Sequence, residues 1–203
     1  MTENDFQAKY ADLLGDPTGV QIEKVIAYLA HELPYFWLDE YLAMTAWTPN
    51  VQRVRNGSFE YIFDAISDSR PGDSTVHDRL IGAIGITARP TRRREKSRIR
   101  GWIGKTEAIA GSAYDKGHFI AHSIGGTVDG SELNLFWQQR AFNRGRSVEG
   151  KAFRNMERYA AGHEGTLCFN RPIYSDDYSV PASIEYGILK PGNELWVHRF
   201  RNE

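Results

Sequence analysis

Two kinds of apolar periodicity occupy opposite ends of this chain, and together they restrict it to a fold that carries both helices and strands. Ile22, Val25, Ile26 and Leu29 fall at i, i+3, i+4 and i+7, the stripe of an amphipathic helix. Asp16-Pro17-Thr18-Gly19 ahead of them is a turn and helix-start signal. Pro34 begins a second apolar stretch, Tyr35-Phe36-Trp37-Leu38, which continues to Trp47 and ends at Pro49. In the tail, Thr166 to Phe169, Ser183 to Tyr186 and Glu194 to Val197 read as short antiparallel strands. Turns at Ser175-Asp176-Asp177 and Lys190-Pro191-Gly192-Asn193 separate them.

The middle of the chain is less one-sided. Phe59 to Ile66 and Leu80 to Ile86 suit a strand or a helix equally well, with a turn at Ser69-Arg70-Pro71-Gly72-Asp73 between them. Thr91-Arg92-Arg93-Arg94-Glu95-Lys96 is a basic loop and the best boundary within the chain. After it, Arg98 to Ile103 alternates as a strand, Lys116 to Ser123 forms another, and Gly125-Gly126 and Asp129-Gly130 make a loop. A helical stretch surrounds Asn143, and Lys151 to Ala161 forms a further helix with Phe153 and Met156 inward. The expectation is an α+β fold with a helical N-terminal subdomain over residues 1–90 and a second domain over residues 91–203. A chain of this length buries roughly 70% of its unfolded surface.

Charge is divided along the same line. Residues 1–50 hold two basic and eight acidic residues, whereas residues 91–160 hold fourteen basic and seven acidic ones. A basic block of this kind suits a polyphosphate partner. The single cysteine, Cys168, excludes an intrachain disulfide framework and reads as a small buried strand residue. The start Met1-Thr2-Glu3-Asn4-Asp5 is not that of a signal peptide, and no apolar run approaches the ~20 residues of a membrane helix. These features place the chain in the cytoplasm, away from membranes, unless a dedicated machine exports it.

Within the basic block, Asp115-Lys116-Gly117-His118 is followed 25 residues after the histidine by Asn143. Histidine can take a proton from water near neutral pH. An asparagine oxygen suits a hard cation such as Mg²⁺, which needs few protein ligands. Gly117 allows a close approach beside the histidine. Arg144 and Arg146 flank Asn143 and suit a scissile phosphate; Arg98 and Arg100 precede the site as further phosphate contacts or surface charge. His122 is four residues past His118, on the same face if the strand continues, in an assisting or structural role. Asn134 suits a brace for the loop that carries the metal-bearing helix. Zinc is disfavoured, since no Cys/His cluster has structural-site spacing.

These residues resemble a known family. Asp115-Lys116-Gly117-His118 is similar to the Asp-Arg-Gly-His signature of the DNA/RNA non-specific endonucleases, which are ββα-metal (His-Me finger) nucleases. Asn134 to Asn143 resembles that family's Asn-x-x-x-Gln-x-x-x-x-Asn segment, with Gln138 in place. His118 to Gly126, and Arg171-Pro172-Ile173-Tyr174-Ser175 in the tail, are similar to the family's bacterial branch. The resemblance covers about residues 98–200 and leaves residues 1–90 out. It implies a ββα-metal core with flanking antiparallel strands. It implies His118 as general base, Asn143 as ligand of Mg²⁺ (or Mn²⁺ in its place), and Glu157 holding water on the metal, across an insertion at residues 145–150. Asp115, His122, Asn134 and Gln138 would support these groups. Lys116 stands where the family has arginine, keeping the charge without the bidentate fork. The implied activity is sequence-non-specific cleavage of DNA, and of RNA as a further substrate, leaving 5′-phosphate and 3′-hydroxyl ends.

The competing expectation is a nucleic-acid-binding or interaction module on a degenerate nuclease fold. Unrestricted cleavage inside a cell also demands control, by an inhibitor protein or an effector complex, as in a toxin or an antiphage effector. The acidic first 50 residues are candidates for shielding the basic face or docking such a partner.

Overall fold

A computed structural model of the protein describes residues 3–66, 78–90, 111–127, 132–176 and 179–203. The readings of Ser69 to Asp73, of the basic loop Thr91 to Lys96, of the strand at Arg98 to Ile103 and of Asp129-Gly130 lie outside those residues. Helices α1 (Glu3–Leu14) and α2 (Ile22–Met44) come first, followed by strands β1 (Val51–Asn56), β2 (Phe59–Asp64) and β3 (Arg79–Ile86). Strand β4 (Tyr114–His118) and strand β5 (Leu135–Gln139) precede the one-turn helix α3 (Arg140–Asn143) and helix α4 (Val148–Gly162). Strands β6 (Leu167–Ile173), β7 (Ser183–Lys190) and β8 (Glu194–Arg201) close the chain. No described helix is long and apolar enough to cross a membrane.

The strands form two sheets. Among the described residues, six of them run in the order β1-β2-β3-β6-β7-β8, every neighbouring pair antiparallel, while β4 and β5 pair only with each other. The neighbours β3 and β6 are therefore far apart in sequence, and the hairpin β4–β5 with α3 and α4 is inserted between them. The α+β class stands. The division at residue 90 does not: helix ends at Met44, and β1, β2 and β3 share one sheet with β6, β7 and β8. Residues 1–90 are thus not a helical subdomain. The two ambiguous runs became strands because β2 and β3 carry buried side chains on both faces of a covered sheet.

Successive side chains of a strand point to opposite faces, and this sorts the core in two. Tyr61, Leu80, Cys168 and Ile188 face a layer made by Phe119, Phe136, Phe142 and Phe153. Their neighbours Ile62, Ile81, Phe169 and Leu189 face Val25, Leu29, Leu33, Trp37 and Tyr41 of α2 and Phe6 and Tyr10 of α1. Pro34, expected to open a new segment, lies inside α2. It removes a backbone donor at a cost of about 3 kcal/mol. The flanking Leu33 and Trp37 are fully buried, and burial of a large apolar side chain returns roughly 1.5–3 kcal/mol each.

Helix α1 is fixed to the sheet by charge as well as by Phe6 and Tyr10. The buried Glu185 carboxylate pairs with Lys9 at 3.1 Å, with Arg171 at 3.3 Å and with Arg199, and accepts from the Tyr10 hydroxyl at 2.6 Å. Burial alone would raise the Glu185 pKa; Arg171, Lys9 and these hydrogen bonds hold it below the ordinary glutamate value. Both acidic helices therefore cover the sheet face opposite α4 and the β4–β5 hairpin. That placement sets residues 3–44 on the face away from the described part of the basic block, in the β4–β5 hairpin and α4; residues 91–110 of the block lie outside the described residues.

Candidate functional site

The site is built on the β4–β5 hairpin, in which His118 stands opposite Leu135 and Asp115 opposite Gln138. Strand β4 stops at His118 rather than running on to Ser123. The cause is Asn134: its Oδ1 accepts from the Ile120 backbone N–H and its Nδ2 donates to the Ile120 carbonyl, both at 2.8 Å. Ile120 has no ladder group left to offer, and the chain turns into a 3₁₀ turn at His122–Ile124. Asn170 of β6 ties this bend to the main sheet, donating from Nδ2 to the Phe119 carbonyl at 2.7 Å. Gly126 closes the bend; a Cβ there would lie 2.0 Å from the Ile120 carbonyl oxygen. Asn202 braces the other strand, accepting from Gln139 N–H and donating to the Trp137 carbonyl, each at 2.8 Å.

One side of the hairpin opens onto a cleft of about 510 Å³. Lys116 and His118 of β4, Gln138 of β5 and His122 of the 3₁₀ turn face it. From the helical side come Asn143 of α3, and Arg154 and Glu157 of α4. With Ser123 of the 3₁₀ turn, the cleft thus gathers eight polar residues from five elements, including the three groups expected to act as base, amide ligand and carboxylate. Glu157 is half-buried, and its carboxyl lies deep enough that burial pushes its pKa up to about 7, against the opposing pull of Arg154. The buried Gln138 side chain lies across Gly117, where an added Cβ would come 2.2 Å from its Oε1. Its Nε2 is buried with no hydrogen-bond partner among the described residues.

The arginines divide differently from the sequence expectation. Arg144 is held by Asp115 through two bonds, Nε to Oδ2 at 2.8 Å and Nη2 to Oδ1 at 3.1 Å, and does not face the cleft. Arg146 is exposed and lies outside the lining as well. Arg100 and Arg98 lie outside the described residues. Among the described residues the cleft's guanidinium is Arg154, whose Nη2 donates to the Asn143 carbonyl at 3.0 Å. Sequence reasoning missed it, although it stands three residues before Glu157, on the same face of one helix. His122 reaches the cleft from the turn and not from a strand shared with His118. Trp137 and Phe142 are core, at 3% and 2% exposure. Cys168 is buried beneath the site, and burial pushes its thiol up to about 12.

A second cavity, of about 140 Å³, lies on the α2 side and is lined by Trp37, Tyr41, Arg79 and Arg171. Its arginines are committed to the protein: Arg79 donates to the Asp176 carbonyl at 2.7 Å, and Arg171 pairs with Glu185 and Glu40. The reactive side chains are on the other face.

No protein-family model matches the chain, and no curated protein matches it. Among solved structures it is similar to one titled "extracellular endonuclease", at 16% sequence identity and a TM-score of 0.34, over 79% of this chain and 72% of that one. The chemistry of the cleft has to be read from its own residues.

Proposed function

We propose that the protein is a metal-dependent, sequence-non-specific endonuclease that hydrolyses phosphodiester bonds in DNA, with RNA as a second substrate. One observation carries this reading: His118, Asn143 and Glu157, separated in sequence and borne by a strand and two helices, face the same cleft beside the cations Lys116 and Arg154. A neutral imidazole, an amide oxygen and a carboxylate next to fixed positive charge are what water attack on a phosphate diester requires.

The residues fit a hard divalent cation of the Mg²⁺ or Mn²⁺ type. Asn143 offers its amide oxygen, and Glu157 is a half-buried acid whose pKa burial raises to about 7, so that it lacks enough positive charge to ionise fully at pH 7. No cluster of three or more His, Cys, Asp or Glu is present among the described residues, so the ligand set is sparse. When bound, such a cation would supply Lewis-acid neutralisation of the phosphate charge.

The chain's own groups supply the rest. His118 takes a proton from the attacking water, whose oxygen bonds to phosphorus as the bond to the 3′ oxygen breaks; the 3′ oxygen leaves with the bonding pair and takes a proton from solvent water. The products are a 5′-phosphate and a 3′-hydroxyl. Lys116 and Arg154 attract the phosphate oxygens, Lys116 as a point charge and Arg154 as a fork. The orphan N–H of Gln138 gains an acceptor if a phosphate oxygen enters the cleft. Phosphate contacts of this kind give affinity without reading sequence.

Control by an inhibitor or an effector complex, as for a toxin or an antiphage effector, follows as a proposal from unrestricted cleavage. With α1 and α2 on the face away from the cleft, such control at the cleft itself would come from a partner rather than from these helices. Incubating plasmid DNA and RNA with the protein plus Mg²⁺, Mn²⁺ or EDTA tests the activity. Cleavage with either cation and none in EDTA is expected; binding without cleavage under every divalent cation would leave only a nucleic-acid-binding module.

A further inference from the structure

Asp115 holds three side chains of a single helical turn. Arg140, Asn143 and Arg144 stand at i, i+3 and i+4 and so share one face of α3. Arg144 Nε lies 2.8 Å from Asp115 Oδ2, and Arg144 Nη2 lies 3.1 Å from Oδ1. Arg140 Nε lies 3.1 Å from Oδ1, and Asn143 Nδ2 lies 3.4 Å from Oδ2. Each carboxylate oxygen therefore accepts two N–H bonds, the full capacity of the group. A carboxylate so occupied has no lone pair left for a cation.

The same geometry fixes Asn143. A helix of four residues has no stability of its own, so the attitude of α3 is set by what grips it. Asp115 grips one face, and the buried Phe142 anchors another. The Asn143 carboxamide has one donor end and one acceptor end. Once Nδ2 is drawn to Asp115, Oδ1 is turned away from it, on a residue that lines the cleft.

We propose that Asp115 is the positioning residue for Asn143: it selects the amide orientation that presents Oδ1 to a divalent cation, while Arg140 and Arg144 neutralise it and keep it from ligating. The cation part rests on the nuclease reading above; the amide orientation is a property of the protein alone. An outer partner of a metal ligand commonly changes metal affinity by about 10–100-fold.

The test is Mn²⁺ affinity, by calorimetry or electron paramagnetic resonance, of the full chain and of D115N, D115E, N143A and D115N/N143A, with circular dichroism and thermal unfolding alongside. D115E keeps the ion pairs while moving the carboxylate by one methylene, and so remains informative if D115N does not fold. Both single Asp115 variants are expected to bind Mn²⁺ about 10–100-fold more weakly while keeping the wild-type fold. D115N/N143A, or D115E/N143A if D115N is unfolded, is expected to bind no more weakly than N143A, because Asp115 acts only through Asn143. Unchanged affinity in folded D115N or D115E, or losses that add in the double variant, would overturn the inference and leave the nuclease reading standing. Absence of Mn²⁺ binding by the wild type would overturn the metal reading and this inference together.

Discussion

Arg154 donates through Nη2 to the backbone oxygen of Asn143 at 3.0 Å, across the turn that joins α3 to α4. One exposed guanidinium thus ties the end of the one-turn helix to the helix that carries Glu157 and adds positive charge to the cleft. R154A is expected to lower kcat/KM roughly a hundredfold by loosening the turn. R154K is expected to recover part of that loss, because lysine keeps the charge without the fork. Unfolding free energy is expected to change by less than about 1 kcal/mol in both variants. Steady-state kinetics with denaturant unfolding on the same samples separates the two effects.

Glu157 makes stability depend on pH with a definite sign. Its carboxyl titrates at about 7 in the folded protein against 4.5 ordinarily. Between these values the unfolded chain gives up its proton while the folded chain keeps it. Stability attributable to Glu157 is therefore complete below about 4.5, falls as pH rises to about 7 and is level above. The loss is at most roughly 3 kcal/mol. E157Q is expected to abolish this slope, and saturating Mg²⁺ to reduce it in the wild type. Urea unfolding at pH 5 and pH 8, in EDTA and in Mg²⁺, measures both.

Asn134 is fully buried and sets the bend after His118. N134A leaves the buried N–H and C=O of Ile120 without partners and is expected to cost roughly 2–4 kcal/mol. N134D keeps the acceptor and loses the donor, so it should fall between. A denaturation midpoint unchanged in N134A would remove the clamp from the account.

Gly117 has no room for a side chain. An alanine Cβ would sit 2.2 Å from Gln138 Oε1 and 2.6 Å from Gln138 Cβ. G117A is expected to displace Gln138 and to destabilise by about 1–3 kcal/mol. The paired variant G117A/Q138A, which shortens the obstructing side chain, should recover part of that loss in the same unfolding assay.

The sequence and the structure agree where local pattern and tertiary placement demand the same thing. The stripe at Ile22 to Leu29 became α2, Phe153 and Met156 turn inward on α4, and the three tail strands follow one another, the last two joined at the predicted turn Lys190 to Asn193. They part where a distant contact decides. Pro34 is carried through a helix by the burial of Leu33 and Trp37 against strands far along the chain. Phe59 to Asp64 is a strand because β3 lies beside it. Lys116 to Ser123 is cut short by Asn134, from the far side of the hairpin. In the site, spacing marked His118 and Asn143 as partners, and both do face one cleft. Spacing had no means of showing that Asp115 would engage Arg144 and leave the cleft to Arg154, since that depends on how β4 lies against α3.

The most direct test of the proposed chemistry is a single-turnover comparison of wild type and H118A on one DNA duplex in Mg²⁺, with binding measured separately. H118A is expected to bind within a few-fold of wild type and to cleave roughly 10²–10⁴-fold more slowly, the range for loss of a general base. Cleavage by H118A at the wild-type rate would contradict the assignment of His118 as the group that activates water.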